Sequence, residues 1–185
     1  MKNLLTAIVL AIALAGASFA QTSSKEKSLV KVAVVEFSPG ANASEMPADA
    51  KRQLQTGLAA ALAKKTDRFN VADVRWTQRE SKDNLANLNN GSSTAAAVKL
   101  GKLLGVSYVL TGIVTEYAPK GADNFGQLTF KIRLIEVATG KVKHADEVTQ
   151  RSTGEMNTNG IAEMHSKTVM PAVKNAAATI AELKL

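Results

Sequence analysis

Over residues 94–117 the hydrophobic pattern changes period partway. Ala96, Leu100, Leu103 and Leu104 recur at helical spacing, and Gly105 follows where a helix ends in the left-handed conformation that glycine adopts without strain. Residues 106–114 then read as a strand rich in β-branched residues. Val106, Tyr108, Leu110 and Val114 share one alternating face and Val109 and Ile113 the other, so this strand belongs in the middle of a sheet covered on both sides. So short a joint between a helix and a doubly covered strand implies helices on both faces of the sheet, with the rest of the chain supplying the neighbouring strands.

The pattern on either side supplies them. Residues 29–37 are nearly continuous in β-branched residues and end at Ser38-Pro39-Gly40, the mark of a buried first strand closed by a turn. After a small-residue loop that offers Asn42 or Ser44 as a cap, residues 46–65 align Ala50, Leu54, Leu58, Ala61 and Leu62. They predict a helix with Pro47 in its first turn and Lys64 and Lys65 at its negative end. Residues 69–74 predict a short second strand. Residues 75–88, with Trp76, Leu85 and Leu88 among charges, predict a partly exposed helix. Residues 89–93, Asn-Asn-Gly-Ser-Ser, read as a loop, with Ser93 or Thr94 to cap the next helix.

Beyond the central strand, residues 118–126 form a turn-rich connection. Leu128, Phe130, Ile132 and Leu134 then alternate with Gln127, Thr129, Lys131 and Arg133, and residues 138–141 turn the chain into a last strand over 142–149. Residues 160–183 carry apolar residues at intervals of three and four, a long amphipathic helix kinked at Pro171. The order β-α-β-α-α-β-β-β-α predicts one three-layer α/β domain of mixed α+β character over residues 29–185. Its first strands are parallel, its last three antiparallel, and helices cover both faces.

Composition agrees with a single aliphatic-cored domain: 185 residues, 45% hydrophobic and only 4% aromatic. The first 20 residues are set apart. Lys2, an apolar run over residues 4–15 and Ser18-Phe19-Ala20 have the form of a cleaved signal peptide, with cleavage between Ala20 and Gln21 and a polar lead over residues 21–28. The apolar run is shorter than the roughly 20 residues that span a bilayer, so no transmembrane span is expected in the mature chain. No cysteine occurs, which removes disulfides, thiolate metal sites and an acylated cysteine, so the expected location is the periplasm, without a lipid anchor.

The formal charge is +7, and cleavage after Ala20 removes one cation, Lys2, leaving +6. Export replaces nucleic acid as the polyanion to consider with lipopolysaccharide, anionic lipid or cell-wall carboxylates. The charges are dispersed, with no like-charge run longer than Lys64-Lys65, and a plain soluble surface explains them as well.

Motifs for catalysis are missing. The loop after the first strand holds one glycine and no lysine, so neither a P-loop nor a dinucleotide fingerprint is present, and there is no Gly-x-Ser-x-Gly elbow. His144 and His165 have no converging carboxylate pattern. Asp67, Asp73, Glu80, Glu116, Glu136 and Glu147 are scattered over several elements. No catalytic residue, cofactor or metal site is assigned.

Recognition has better candidates. Arg75, Trp76 and Arg79 gather the single tryptophan with two arginines, residue types enriched at binding hot spots, although a tryptophan packed under the sheet edge accounts for the same residues. The 89–93 loop is either a contact surface or a mobile tip. Phe125 is either an exposed anchor or the start of the next strand's buried face, and the polar lead is either a tether or a plain terminus.

KVAVVEF (31–37), FNVADVR (69–75), AVKLGKLLGVSYVLTGIV (97–114) and KIRLIEVATGKV (131–142) together resemble the CsgG-type periplasmic domain family. That family includes the curli-secretion lipoprotein and the LpoB activator of a penicillin-binding protein. The resemblance covers nearly the whole mature chain and implies the same mixed sheet between helices. The lipoprotein members carry an acylated cysteine where this chain has Gln21, and the short 118–126 and 151–160 segments leave no room for the barrel hairpins of the channel-forming members.

The expectation is therefore a non-enzymatic envelope module that docks on a peptidoglycan synthase or a secretion assembly, with further copies of the chain admitted as partners. The alternative is a module that holds an anionic glycan, lipopolysaccharide or other cell-wall component.

Overall fold

The computed structural model describes residues 28–91 and 94–185; the leader, its cleavage point at Ala20 and Gln21, and nearly all of the polar lead lie outside them. The β-branched run at the start forms β1 (Val30–Val34), which buries Val32, Ala33 and Val34. The turn expected at Ser38 instead begins with a two-residue strand, β2 (Ser38–Pro39), because Phe37 is drawn into the core and keeps the chain extended.

A 3-10 turn at Ala41–Ala43 leads to α1 (Ala48–Ala63). Neither Asn42 nor Ser44 caps this helix. Pro47 takes the N-cap position, where its missing N–H deprives no helical carbonyl of a donor. β3 (Phe69–Val71) is shorter than the strand expected to residue 74, since the Asp73 side chain accepts the Trp76 N–H at 2.8 Å and starts α2 (Val74–Ser81). The single helix expected over 75–88 is broken by a 3-10 turn at Lys82–Asn84 before α3 (Leu85–Asn89).

α4 (Ala95–Leu104) stops at Gly105, which adopts φ 65° and ψ 31° as expected of a glycine cap. The Thr94 side chain occupies the cap position without a capping bond. Then follow β4 (Tyr108–Ala118), β5 (Gln127–Glu136) and β6 (Val142–Arg151).

The last helical region is α5 (Ile161–Met164), a π-helical turn at His165–Val169 and α6 (Met170–Glu182). The disturbance expected at Pro171 thus takes the form of a wide turn just before it. The Met170 N–H reaches back five residues to the His165 carbonyl, which relieves the clash a proline ring makes with the carbonyl four residues earlier.

Among the described residues six strands form one sheet in the order β3-β1-β4-β5-β6, with β2 beside β4. β1 is parallel to both β3 and β4 (Val30 opposite Phe69, Val32 opposite Tyr108). β4, β5 and β6 form an antiparallel meander (Leu110 opposite Leu134, Phe130 opposite Val148).

α1 and α6 cover one face, packing on Val32, Val34, Leu110, Phe130, Ile132 and Leu134. α4, with Leu88 from α3, covers Ala33, Val35, Val109 and Ile135 on the other. This is why β4 is apolar on both sides. Val106 joins the second core and not the first, because it precedes the strand and still belongs to the turn after Gly105. Gly112 is the tight point of β4: a Cβ there would lie 2.6 Å from the Lys131 carbonyl oxygen and 2.9 Å from the Phe37 ring. No helix among the described residues is long and apolar enough to cross a membrane.

Candidate functional site

The Asp73 cap fixes the start of α2 and with it the direction of each side chain that follows. Thr77 and Ser81 are buried, and Gln78 donates to Gln55 Oε1 at 2.7 Å while Gln55 donates to the Val34 carbonyl at 2.8 Å. This polar chain ties the inner side of α2 to the end of β1. The outer side carries Arg75, Trp76 and Arg79, all exposed, with Trp76 at 38%. The structure thus brings the three residues together on one helix surface and leaves the indole in solvent contact. Arg79 Nε sits 2.9 Å from Glu80 Oε1, an exposed pair of small worth.

An open cleft of about 330 Å³ adjoins α2, lined by Glu36, Arg52, Gln78, Arg79 and Lys82 at the carboxyl end of β1. Open α/β sheets commonly take ligands at this end, but Arg52 is already paired with Asp49 and the remaining charges are mixed.

Asn89, read from the sequence as part of a loop, is a buried tie at 3% exposure. Its Nδ2 donates to the Glu36 carbonyl at 2.9 Å and to Ser38 Oγ at 2.8 Å, and its Oδ1 accepts the Gly112 N–H at 3.0 Å. It joins α3 to the segment after β1 and to β4. Phe125 is half-buried beneath the Arg151 guanidinium, 3.9 Å from the ring centroid, and Arg151 also pairs with Asp123 at 2.7 Å. It is therefore a held loop residue, neither a free anchor nor part of β5, which begins at Gln127.

The histidines and carboxylates are dispersed in local roles. His144 Nε2 lies 4.0 Å from Asp146 on β6, whereas His165 sits in the π turn. Glu116 accepts from Gln127, Glu147 pairs with Lys131, and Asp73 is the α2 cap. Glu136 is held below the usual carboxylate range by the Thr139 hydroxyl, with Lys143 and Tyr108 adding to the effect, and burial pushes the Tyr108 phenol up. No group of three or more His, Cys, Asp or Glu among the described residues could hold a metal ion.

A family model described as the peptidoglycan-synthase activator LpoB matches residues 13–150, well over half of the chain. The chain belongs to the LpoB family. The LpoB match runs from before β1 to the end region of β6, so it includes the α2 surface and the Asn89 tie and stops short of α5 and α6.

Among solved structures, a hypothetical protein of Chlamydia trachomatis is similar at TM-score 0.61 and 10% identity, covering 84% of this chain and 98% of that one. A lipoprotein of Neisseria meningitidis follows the same fold at TM-score 0.53 and 19% identity, covering 81% and 99%. The PelC dodecamer of Paraburkholderia phytofirmans does so at 0.50 and 21%, covering 79% and 86%. At these identities the likeness is one of fold. No curated protein matches the chain.

Proposed function

We propose that this LpoB-family chain is a non-enzymatic periplasmic module that docks on a peptidoglycan synthase through the outer surface of α2, with Trp76 as the central anchor and Arg75 and Arg79 beside it. The observation that carries the reading is the exposure of an indole between two arginines on a helix whose other side is pinned to the sheet, in a chain of a synthase-activator family. Binding energy at protein interfaces concentrates in such aromatic and arginine residues when they sit on a rigid support. The secretion-assembly partner raised by the CsgG-type resemblance, and docking between copies of the chain, would draw on the same kind of surface.

The test is retention of a purified penicillin-binding peptidoglycan synthase by the immobilised full chain. Trp76→Ala and the pair Arg75→Ala with Arg79→Ala are expected to lose retention while keeping the unfolding midpoint close to that of the unchanged chain, because exposed positions cost far less than the about 3 to 5 kcal/mol of a core truncation. A strong fall in the midpoint, or full retention by both variants, would place the interface elsewhere. The net charge of +6 that cleavage after Ala20 would leave supports a second reading, capture of an anionic envelope component. Retention that vanishes for every partner as salt is raised would favour it, since exposed charge interactions are screened.

A further inference from the structure

α1 and α6 lie side by side on one face of the sheet, with Gly57 facing Val173 and Met170. Between them runs a groove of about 630 Å³, the size of a small-ligand site. It follows α1 for about three turns, or about 16 Å. Its floor is made of Gly57, Ala60, Ala61, Ala177 and Ala178, with Met170 as the one large apolar side chain. Lys64, Lys65 and Lys174 line its sides together with His165, and no carboxylate does.

None of the three lysines forms an ion pair among the described residues. Two of the lining side chains, Gln53 and His165, also hold an atom buried without a hydrogen-bond partner, Oε1 and Nδ1 respectively. The groove therefore combines a narrow apolar floor with cations that have no counter-ions.

We infer that this groove binds a single-chain amphiphile with a phosphate head. Lysines meet the phosphate oxygens as point charges, and a slim unbranched chain lies over alanine and glycine. An acidic amphipathic helix would also suit the charge, but helices dock by seating large side chains at intervals of three and four. A floor of glycine and alanine with one methionine provides no row of such seats.

The experiment follows methionine methyl signals by NMR in the full chain labelled at methionine, with dodecyl phosphate added below its micelle-forming concentration. Met170 reports the groove, the buried Met46 and Met156 report the core, and any association of the apolar leading segment registers at Met1. The Met170 signal is expected to shift saturably while Met46 and Met156 stay in place. Inorganic phosphate and neutral dodecyl maltoside at the same concentration are expected to leave Met170 unmoved.

Lys64→Glu with Lys65→Glu, and separately Ala60→Phe with Ala178→Phe, should each weaken binding about ten-fold or more, as loss of a charged contact or of the apolar floor would. Ala60 and Ala178 are exposed, so the larger side chains fill the groove without entering the core. Equal shifts with inorganic phosphate or with dodecyl maltoside, a response confined to Met1, or tighter binding of an acidic amphipathic peptide would each overturn the inference. These readings are made on the unsubstituted chain and do not depend on the variants folding.

Discussion

Glu163 gathers five donors on one carboxylate. The Asn157 N–H and side-chain amide reach Oε1 at 3.0 and 3.1 Å, the Thr158 N–H and hydroxyl reach Oε2 at 2.8 and 3.0 Å, and Lys167 Nζ lies 2.8 Å from Oε1. The Asn157 N–H, then Lys167 and the Thr158 N–H, hold its acid form down to about 2. A free glutamate titrates near about 4.3. The carboxylate's contribution to stability is thus complete above about pH 4.3 and is lost as the pH falls from there toward 2. The unfolding midpoint of the unchanged chain is expected to drop more steeply across that window than that of Glu163→Gln, measured by thermal unfolding at a series of pH values. Equal slopes would mean that the clasp on residues 157–158 opens without cost to the fold. The spacing of Glu163 and Lys167, four residues apart, suggests their pairing, but the donors from Asn157 and Thr158 lie in a loop with no period to mark them. Asn89 escaped for a different reason: its partners Glu36, Ser38 and Gly112 are distant in the chain, and only the folded sheet assembles them. Arg75, Trp76 and Arg79 were legible as residue types, whereas their exposure depends on which side of α2 the Gln78–Gln55 contact turns inward.

At the level of elements, legibility followed length and period. The α4–Gly105–β4 unit was readable because a helical spacing, a glycine and a β-branched run succeed one another without interruption. β5 was readable because Leu128, Phe130, Ile132 and Leu134 alternate with polar residues over 127–134, most of its ten-residue length. β2 was not, since two residues carry no period and Pro39 reads as a turn. The break between α2 and α3 lay in a polar stretch where no apolar spacing marks a boundary. β4 is the element on which both cores depend, and its third residue, Leu110, is fully buried. Leu110→Asp would leave an unpaired charge there and is expected to abolish cooperative unfolding, as followed by circular dichroism. A melting curve like that of the unchanged chain would show that β4 tolerates a charge at Leu110 and does not unite the two cores.

For the whole molecule, the leader read over residues 1–20 carries its own expectation. The exported chain should begin at Gln21 and carry no acyl group, since no cysteine is available to receive one. Intact mass of the exported protein checks both points: retention of residues 1–20, or an added acyl mass, would contradict them. The finished sheet also has two unlike borders, three residues of β3 on one side and ten of β6 on the other. The β6 border is long enough to recruit a foreign strand, yet it is interrupted by a bulge near Lys143 and studded with Lys143, Asp146, Glu147 and Arg151. Such features resist strand addition. Amyloid-like stacking is thereby discouraged, and joining copies of this chain into one continuous sheet along β6 is disfavoured.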